Sequence, residues 1–531
     1  MRFFMAIFIS LLFNAVIAQE QNTENQSITN IQTDNVRSYE ALQFLPLYNT
    51  PPFDNNRIKS LRIHTEKIFP DYLFNRPLWQ TQGKNYALAL YPLLWNEAGK
   101  SNRTSRFIFI NSRGLGISGR LGKHVFFGTE VFENQARFPA LIDSIISSKH
   151  TGQGFPGIVP GFGIAKNHRN GIFDFPSGRA YVEYRPSAVF RFRIAHGNPY
   201  IGYGHRSLLV GNHLPPFPYF AVEARFWHIR YTTFWAELQD VRAGIMPKNY
   251  YYKKYMAVHY LDWAVYPRWN LGLFEAVIWD PGNGRGFDVN FINPVIFFKT
   301  AEFQSGTKSA NTLLGLNTRI KLPLHWQAYA QFLLDEMTVS KFFGQPGYWG
   351  NKFAVQTGLR FDFVRNNHLW HALIEWNWVR PYTYSHHLTT INYAHDNWPI
   401  AHPWGANLRE IYAEISWQYK RFRTNMAFSH GLQGLDFPDE EAGYGADIYR
   451  DYEERISDTD IFTLQGNLYK RTYFSLETGW IVNPVYRLEI YTGIRYFNRQ
   501  IEKTLLPYHT ISESWAFIGL RTKLFRYHFN L

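Results

Sequence analysis

The connection spanning residues 380–407 gathers the side chains of this chain best suited to recognise a ligand: Tyr382, Tyr384, His386, His387, Tyr393, His395, Trp398, His402 and Trp404. Aromatic rings stack on the C–H faces of sugars, and an arginine fork pairs with a carboxylate through two donors. With Arg380 at one end and Arg409 just past the other, the stretch suits an acidic carbohydrate. The candidate polysaccharide-binding residues are Arg380, Tyr382, Tyr384, His386, His395, Trp398, Trp404 and Arg409. The same composition equally suits a loop folded inward, its rings packed on one another. The histidines lack tight metal-ligand spacing with a supporting carboxylate, so no metal or other cofactor is expected.

Other stretches carry weaker chemistry. Residues 431–460 hold Asp436, Asp439, Glu440, Glu441, Asp447, Asp451, Glu453 and Glu454 against Arg450 and Arg455, which reads as a solvated outer face or as a bridge through a divalent ion. Gly282-Asn283-Gly284-Arg285-Gly286 has the glycines of a phosphate cradle but no following helix, so it reads as a turn. There is no nucleophile elbow, and carboxylates such as Glu275 and Asp280 are too ordinary to mark catalysis. No enzyme is expected.

The elements that must position the loop are strands. Phe353, Val355, Leu359, Phe361 and Phe363 alternate with Gln356, Arg360 and Asp362; after Arg365-Asn366-Asn367, Trp370, Ala372, Ile374, Trp376 and Trp378 alternate with His371, Glu375 and Asn377. Two more alternating runs, 408–419 and 421–430, follow the long connection. Strand, tight turn, strand, long loop then recurs from residue 105 onward, with long connections at 135–178, 197–218, 240–253, 280–310, 336–352, 380–407 and 431–460. The apolar faces are too aromatic to be left wet, whereas a lumen holding Arg360, Asp362, Glu375 and Gln418 would be polar. The pattern predicts an all-β chain, a transmembrane up-and-down antiparallel β-barrel of about eighteen strands, with twenty as the alternative count. Closure removes the edges that cannot persist in hydrocarbon. Strand pairs are expected at 105–111 with 115–121, and at 461–469 with 472–482 about a turn at Lys470-Arg471. The last run, through Phe525, Tyr527, Phe529 and Leu531, has the apolar alternation of a terminal barrel strand.

Composition agrees. The 531 residues are 45% hydrophobic and only 18% charged, which excludes a disordered chain, and 18% are aromatic, suiting girdles at two membrane interfaces. Met1-Arg2, the apolar run Phe3 to Phe13 and the small-residue site Val16-Ile17-Ala18 read as a signal peptide over 1–18. Residues 19–104 are expected to form a periplasmic lead or plug, with 61–100, including the run Tyr86 to Trp95, read as a plug, a cap or a first strand, and 105–531 the barrel. The chain has no cysteine and a formal charge of +13. Behind a signal peptide, that charge points to lipopolysaccharide or an acidic surface polysaccharide, not to nucleic acid.

Several segments resemble the capsule-assembly outer-membrane family Wzi, in the branch that includes the gliding-motility protein RemB. They are Glu133 to Pro139 (ENQARFP), Gly202 to Leu209 (GYGHRSLL), Phe291 to Phe298 (FINPVIFF), Trp349 to Phe353 (WGNKF), Val379 to His386 (VRPYTYSH) and Ala401 to Asn407 (AHPWGAN). The resemblance implies a barrel in the outer membrane of a Gram-negative bacterium that holds surface polysaccharide in a lectin-like way, without catalysis. Its branch adds a link to a motility or secretion complex. A diffusion channel is the alternative, distinguished by an open lumen.

Overall fold

The computed structural model describes residues 42–44, 68–168, 171–246, 250–281, 286–294, 298, 310–502 and 510–522. The signal-peptide reading of 1–18, the terminal run 523–531 and Gly282 to Arg285 lie outside them. Eighteen antiparallel strands form a closed barrel. The first nine are β1 (Tyr86–Ser101), β2 (Phe107–Leu121), β3 (Val125–Arg137), β4 (Ser177–Tyr184), β5 (Phe190–Gly197), β6 (Phe217–Phe226), β7 (Ile229–Asp240), β8 (Tyr252–Tyr266) and β9 (Trp269–Trp279). The others are β10 (Ala310–Lys321), β11 (Trp326–Glu336), β12 (Lys352–Arg365), β13 (His368–Val379), β14 (Leu408–Tyr419), β15 (Phe422–Leu435), β16 (Asn467–Asn483), β17 (Leu488–Ile501) and β18 (Thr510–Arg521). β18 returns to β1 in the register Trp515↔Ser101 to Arg521↔Trp95.

The period of two sorts the wall. On β13, Trp370, Ile374 and Trp376 face outward and exposed, while Leu373, Glu375, Asn377 and Val379 face inward and buried. Leu115, Val131, Ile194, Leu273 and Ile518 extend the same exposed apolar surface round the barrel, a surface suited to hydrocarbon. The lumenal wall near the seam is ionic. Arg495 meets Glu97 at 2.7 Å, Arg521 meets Glu489 at 2.6 Å and also Glu477, and Arg423 meets Glu489 at 3.0 Å. Of these pairs, Arg495 with Glu97 joins β17 to β1, strands that only closure brings together.

The turns follow from residues that accept a left-handed backbone. Asn366 and Asn367, at φ of 48° and 67°, make the two-residue turn whose twist matches the flanking strands. Eight such short connections lie at one end of the barrel, and the longer ones, with 102–106 and 502–509, lie at the other.

Three expectations are corrected. β1 belongs to the barrel, so the wall begins at Tyr86, not at residue 105. Residues 105–111 and 115–121 are one strand, since Gly114 stays in register opposite Leu93 and Phe132. A Cβ there would meet the Val131 carbonyl oxygen at 2.2 Å, so the glycine answers a close approach of strands, not a turn. Likewise 461–469 and 472–482 merge into β16, and Lys470 and Arg471 pair in mid-strand with Leu432 and Gly431. With those mergers the count is eighteen, and the alternation of long and short connections runs unbroken to β18.

Before β1, residues 42–44 and 68–85 are described. Leu42–Phe44 pairs antiparallel with Pro199–Ile201. Helix α1 (Ile68–Asn75) sits at the turn end, where Asn483 Nδ2 donates to the carbonyls of Leu73 and Arg76 and an Arg421 Nη2 donates to that of Phe74. A short strand, Trp79–Gln82, pairs antiparallel with Ala87 to Leu90 of β1.

Candidate functional site

Two loops fill the lumen. The connection 198–216 and the connection 380–407 meet face to face: Gly211 N donates to Ile400 O at 2.7 Å, Tyr384 Oη to Leu208 O at 3.2 Å and Tyr393 Oη to Leu209 O at 2.8 Å. Tyr384 and Tyr393 stack on each other with ring centres 5.9 Å apart. Around them lies one apolar cluster that includes Leu209, Phe234, Met256, Phe274, Trp398 and Ile400. Inward folding, one of the two roles the composition allowed, is the one this loop adopts.

Charged groups on the barrel wall seat this plug. Glu410 on β14 accepts from Arg206 Nε at 3.0 Å and Nη2 at 2.8 Å, lies 2.8 Å from His402 Nε2, and accepts from Ser429 Oγ at 2.8 Å. Glu375 on β13 accepts the backbone N–H groups of His205 and Arg206, together with Tyr329 Oη and Asn377 Nδ2. Both carboxylates are almost fully buried, and with this many donors neither is an unpaired charge. The loop backbone is also held in place. Tyr382 and Tyr384 adopt φ of 63° and 75°, which costs a bulky residue roughly 1–3 kcal/mol each. They are kept there because Tyr382 N donates to Gly445 O and Tyr384 N to Asp335 Oδ2.

The sequence-derived candidates therefore separate. Tyr384 and His395 are inside the plug; burial beside Lys254 pushes the His395 imidazole down to about 3, so it is neutral and accepts from Gln239 N. Arg380, Tyr382 and His386 pack beneath the loops 337–351 and 436–466, with an Arg380 Nη2 donating to Ile461 O at 3.1 Å and the His386 ring 5.9 Å from that of Tyr452. Arg409 is exposed on the outer surface over Trp378, because it is one residue out of phase with the inward Glu410. Trp398 and Trp404 line a cavity.

That cavity, of about 500 Å³, opens at the loop end between the plug, the 138–176 loop and the 436–466 loop. Helix α2 (Ala140–Ser147) forms one side. Lys149 Nζ lies 5.2 Å from the ring of Trp398 and 5.7 Å from that of Tyr449. The Arg471 guanidinium lies 4.5 Å from both Trp404 and Tyr469. Arg499 donates to Ser144 Oγ at 3.1 Å, and Asp436 and Asp447 complete the charged lining. Burial pushes the Lys149 ammonium down from its ordinary value, with Asp447 opposing and Arg471 reinforcing the shift. Burial also raises the Asp436 carboxyl, although it accepts from Tyr444 N. Three polar atoms of the lining residues are buried without a hydrogen-bond partner: Trp404 Nε1, Arg471 Nε and Tyr449 Oη. A cavity of this size, with aromatic walls and a few convergent polar groups, has the form of a small-ligand site.

Sequence reasoning missed Lys149, Tyr449, Tyr469, Arg471 and Arg499. A signal existed for two of them. Had the alternation of Tyr469, Arg471, Tyr473 and Ser475 been followed through without a turn, Tyr469 and Arg471 would have faced the lumen. The acidic stretch is tied up by its own arginines: Arg450 pairs with Glu454 and Asp436, and Arg455 with Glu453 and Asp458. Among the described residues no group of three or more metal-binding side chains converges.

A second cavity, of about 340 Å³, lies on the turn-end side of the plug, lined by Tyr200, Tyr203, His205, Arg360, His371 and Glu414 among others. The two cavities are separated by the plug residues just described.

No family model matches the chain, and no curated protein sequence matches it. Solved barrels are similar in outline. Wzi of Escherichia coli, described as a carbohydrate-binding β-barrel involved in group 1 capsule assembly, aligns at 12% identity over 81% of this chain and 85% of its own, with a TM-score of 0.48. OpdK of Pseudomonas aeruginosa, solved with vanillate, aligns at 11% identity over 82% and 98%, with a TM-score of 0.42. OprD of the same organism aligns at 11% over 82% and 96%, with a TM-score of 0.40. At these values the likeness stops at the barrel outline. Wzi is thus one of the barrels to which this chain is similar in outline, and these three structures say nothing of a gliding-motility branch or of a motility or secretion partner.

Proposed function

We propose that this chain is an outer-membrane β-barrel of a Gram-negative bacterium that holds surface polysaccharide at its outer mouth, as a lectin does, without catalysis. The observation that carries the reading is the pairing of a filled lumen with a cavity at the loop end. A diffusion channel needs a continuous path, whereas loops 198–216 and 380–407 fill the lumen with packed apolar side chains and buried ion pairs. A binding protein needs an accessible concave site, and aromatic walls with unpartnered donors meet that need. On this reading the long loops are extracellular, the short turns periplasmic, and the girdle of outward Trp and Tyr residues sits at the interfaces.

The test is retention of surface polysaccharide by cells displaying Trp404→Ala with Tyr449→Ala at the same surface level as the parent protein. Reduced retention with unaltered barrel assembly supports the reading. Unchanged retention, together with steady ion conductance of the parent protein in planar bilayers, replaces it with the channel.

A further inference from the structure

The atoms left unpartnered in the mouth cavity specify more than a sugar. Trp404 Nε1 and Arg471 Nε can only donate, and Tyr449 Oη can donate as well as accept. A buried donor without an acceptor is costly, so the group that belongs beside these atoms presents acceptor oxygens. The lining also fixes the sign of charge. Lys149, Arg471 and Arg499 contribute three positive charges and Asp436 and Asp447 two negative ones, so 3 − 2 leaves one positive charge in excess. A sugar's carboxylate, which only accepts and carries a single negative charge, meets both conditions.

Resting on the glycan-binding reading, we propose that the mouth cavity is a subsite for a carboxylate-bearing sugar, whose acid group lies against Arg471 Nε and Trp404 Nε1. Several features fit this assignment. Arg471 is already oriented, since its Nη2 donates to Gln433 Oε1 at 2.9 Å and its guanidinium is held between the Trp404 and Tyr469 rings. Its Nε has no acceptor of its own. Lys149, between Trp398 and Tyr449, is placed by the same loops and adds a second cation without forming an ion pair of its own with the plug. The Trp404 backbone N–H is anchored to His402 Nδ1, and His402 to Glu410, so the indole is fixed by the element that closes the lumen.

The experiment compares binding of the surface polysaccharide of the source cells, native and after chemical reduction of its carboxyl groups to alcohols, to the purified full-length barrel in detergent. Native polymer should bind at least about tenfold tighter than the reduced polymer, the scale of one hydrogen bond to a charged group. Arg471→Gln should remove most of that preference. Trp404→Phe, which keeps an aromatic ring and deletes the donor, should narrow the preference for native over reduced polymer. Heat-modifiable migration on gels confirms that each variant is folded. Equal binding of native and reduced polymer overturns the acid subsite while the glycan reading stands. Absence of binding by either polymer overturns the glycan reading itself. A preference that survives in Arg471→Gln also overturns the assignment, by placing the acid elsewhere.

Discussion

Arg206 and Glu410 are joined by two hydrogen bonds, of 3.0 and 2.8 Å, although one lies in an inward loop and the other on the barrel wall 204 residues later. This pair fastens the 198–216 loop to β14, and His402 fastens the 380–407 loop to the same carboxylate. One glutamate thus holds both halves of the plug.

Glu410→Gln leaves the buried Arg206 charge unpaired, and losing one partner of such a pair costs about 3–5 kcal/mol. The barrel, held by its strand ladder, should still assemble and show heat-modifiable migration. The plug should loosen, seen as new single-channel conductance and as trypsin cleavage after Arg206. Arg206→Met combined with Glu410→Leu replaces the pair with apolar volume and should restore a silent barrel.

The lipid face and the lumen face of β13 should respond differently. Ile374→Arg places a charge on an exposed apolar surface and should impair assembly by roughly 2–4 kcal/mol if it lies near the midplane, measured by urea titration of folding into vesicles. Glu375→Arg is a separate case. A polar lumen alone would tolerate it, but the backbone donors of His205 and Arg206 converge on this carboxylate. It should leave assembly intact and open the plug, raising conductance as Glu410→Gln does.

Topology can be read with proteases on intact cells. A glutamate-specific protease should cut at exposed Glu440 and Glu441 in the 436–466 loop. Trypsin should spare Arg487, in the turn between β16 and β17, and Lys470 and Arg471 within β16. Cleavage at Arg487 with the acidic loop untouched would reverse the barrel.

Binding at the mouth should depend on pH through Lys149. Burial lowers its pKa, so the cation is present at low pH and is lost as pH rises, earlier than for an ordinary lysine. Affinity for an acidic polymer should therefore fall on the alkaline side, and Lys149→Arg, which keeps its charge throughout, should flatten that limb. Added salt should weaken the interaction in both proteins.

What the sequence determined by itself was the wall. The period of two in β12 to β15 separated Ile374 and Trp376 from Glu375 and Asn377, because a pleated strand must send neighbours to opposite faces. Long and short connections in alternation implied a closed meander, since only closure leaves no edge in hydrocarbon. The same parity, read strictly, would have sent Arg409 outward and Arg471 inward. Arg409 belongs to β14 and not to the loop before it, and the basic pair Lys470-Arg471 continues β16 instead of turning it.

What only the tertiary structure decided was the lumen. Nothing in local spacing links Arg206 to Glu410, Tyr393 to Leu209 or Trp398 to Lys149, because these contacts join segments whose separation is set by the barrel's circumference. The loop 380–407 showed which side chains were available, but composition could not say whether its rings would meet a ligand or one another. The inward packing was decided by the shape and charge of the wall, where Glu375 and Glu410 already faced the lumen and required partners.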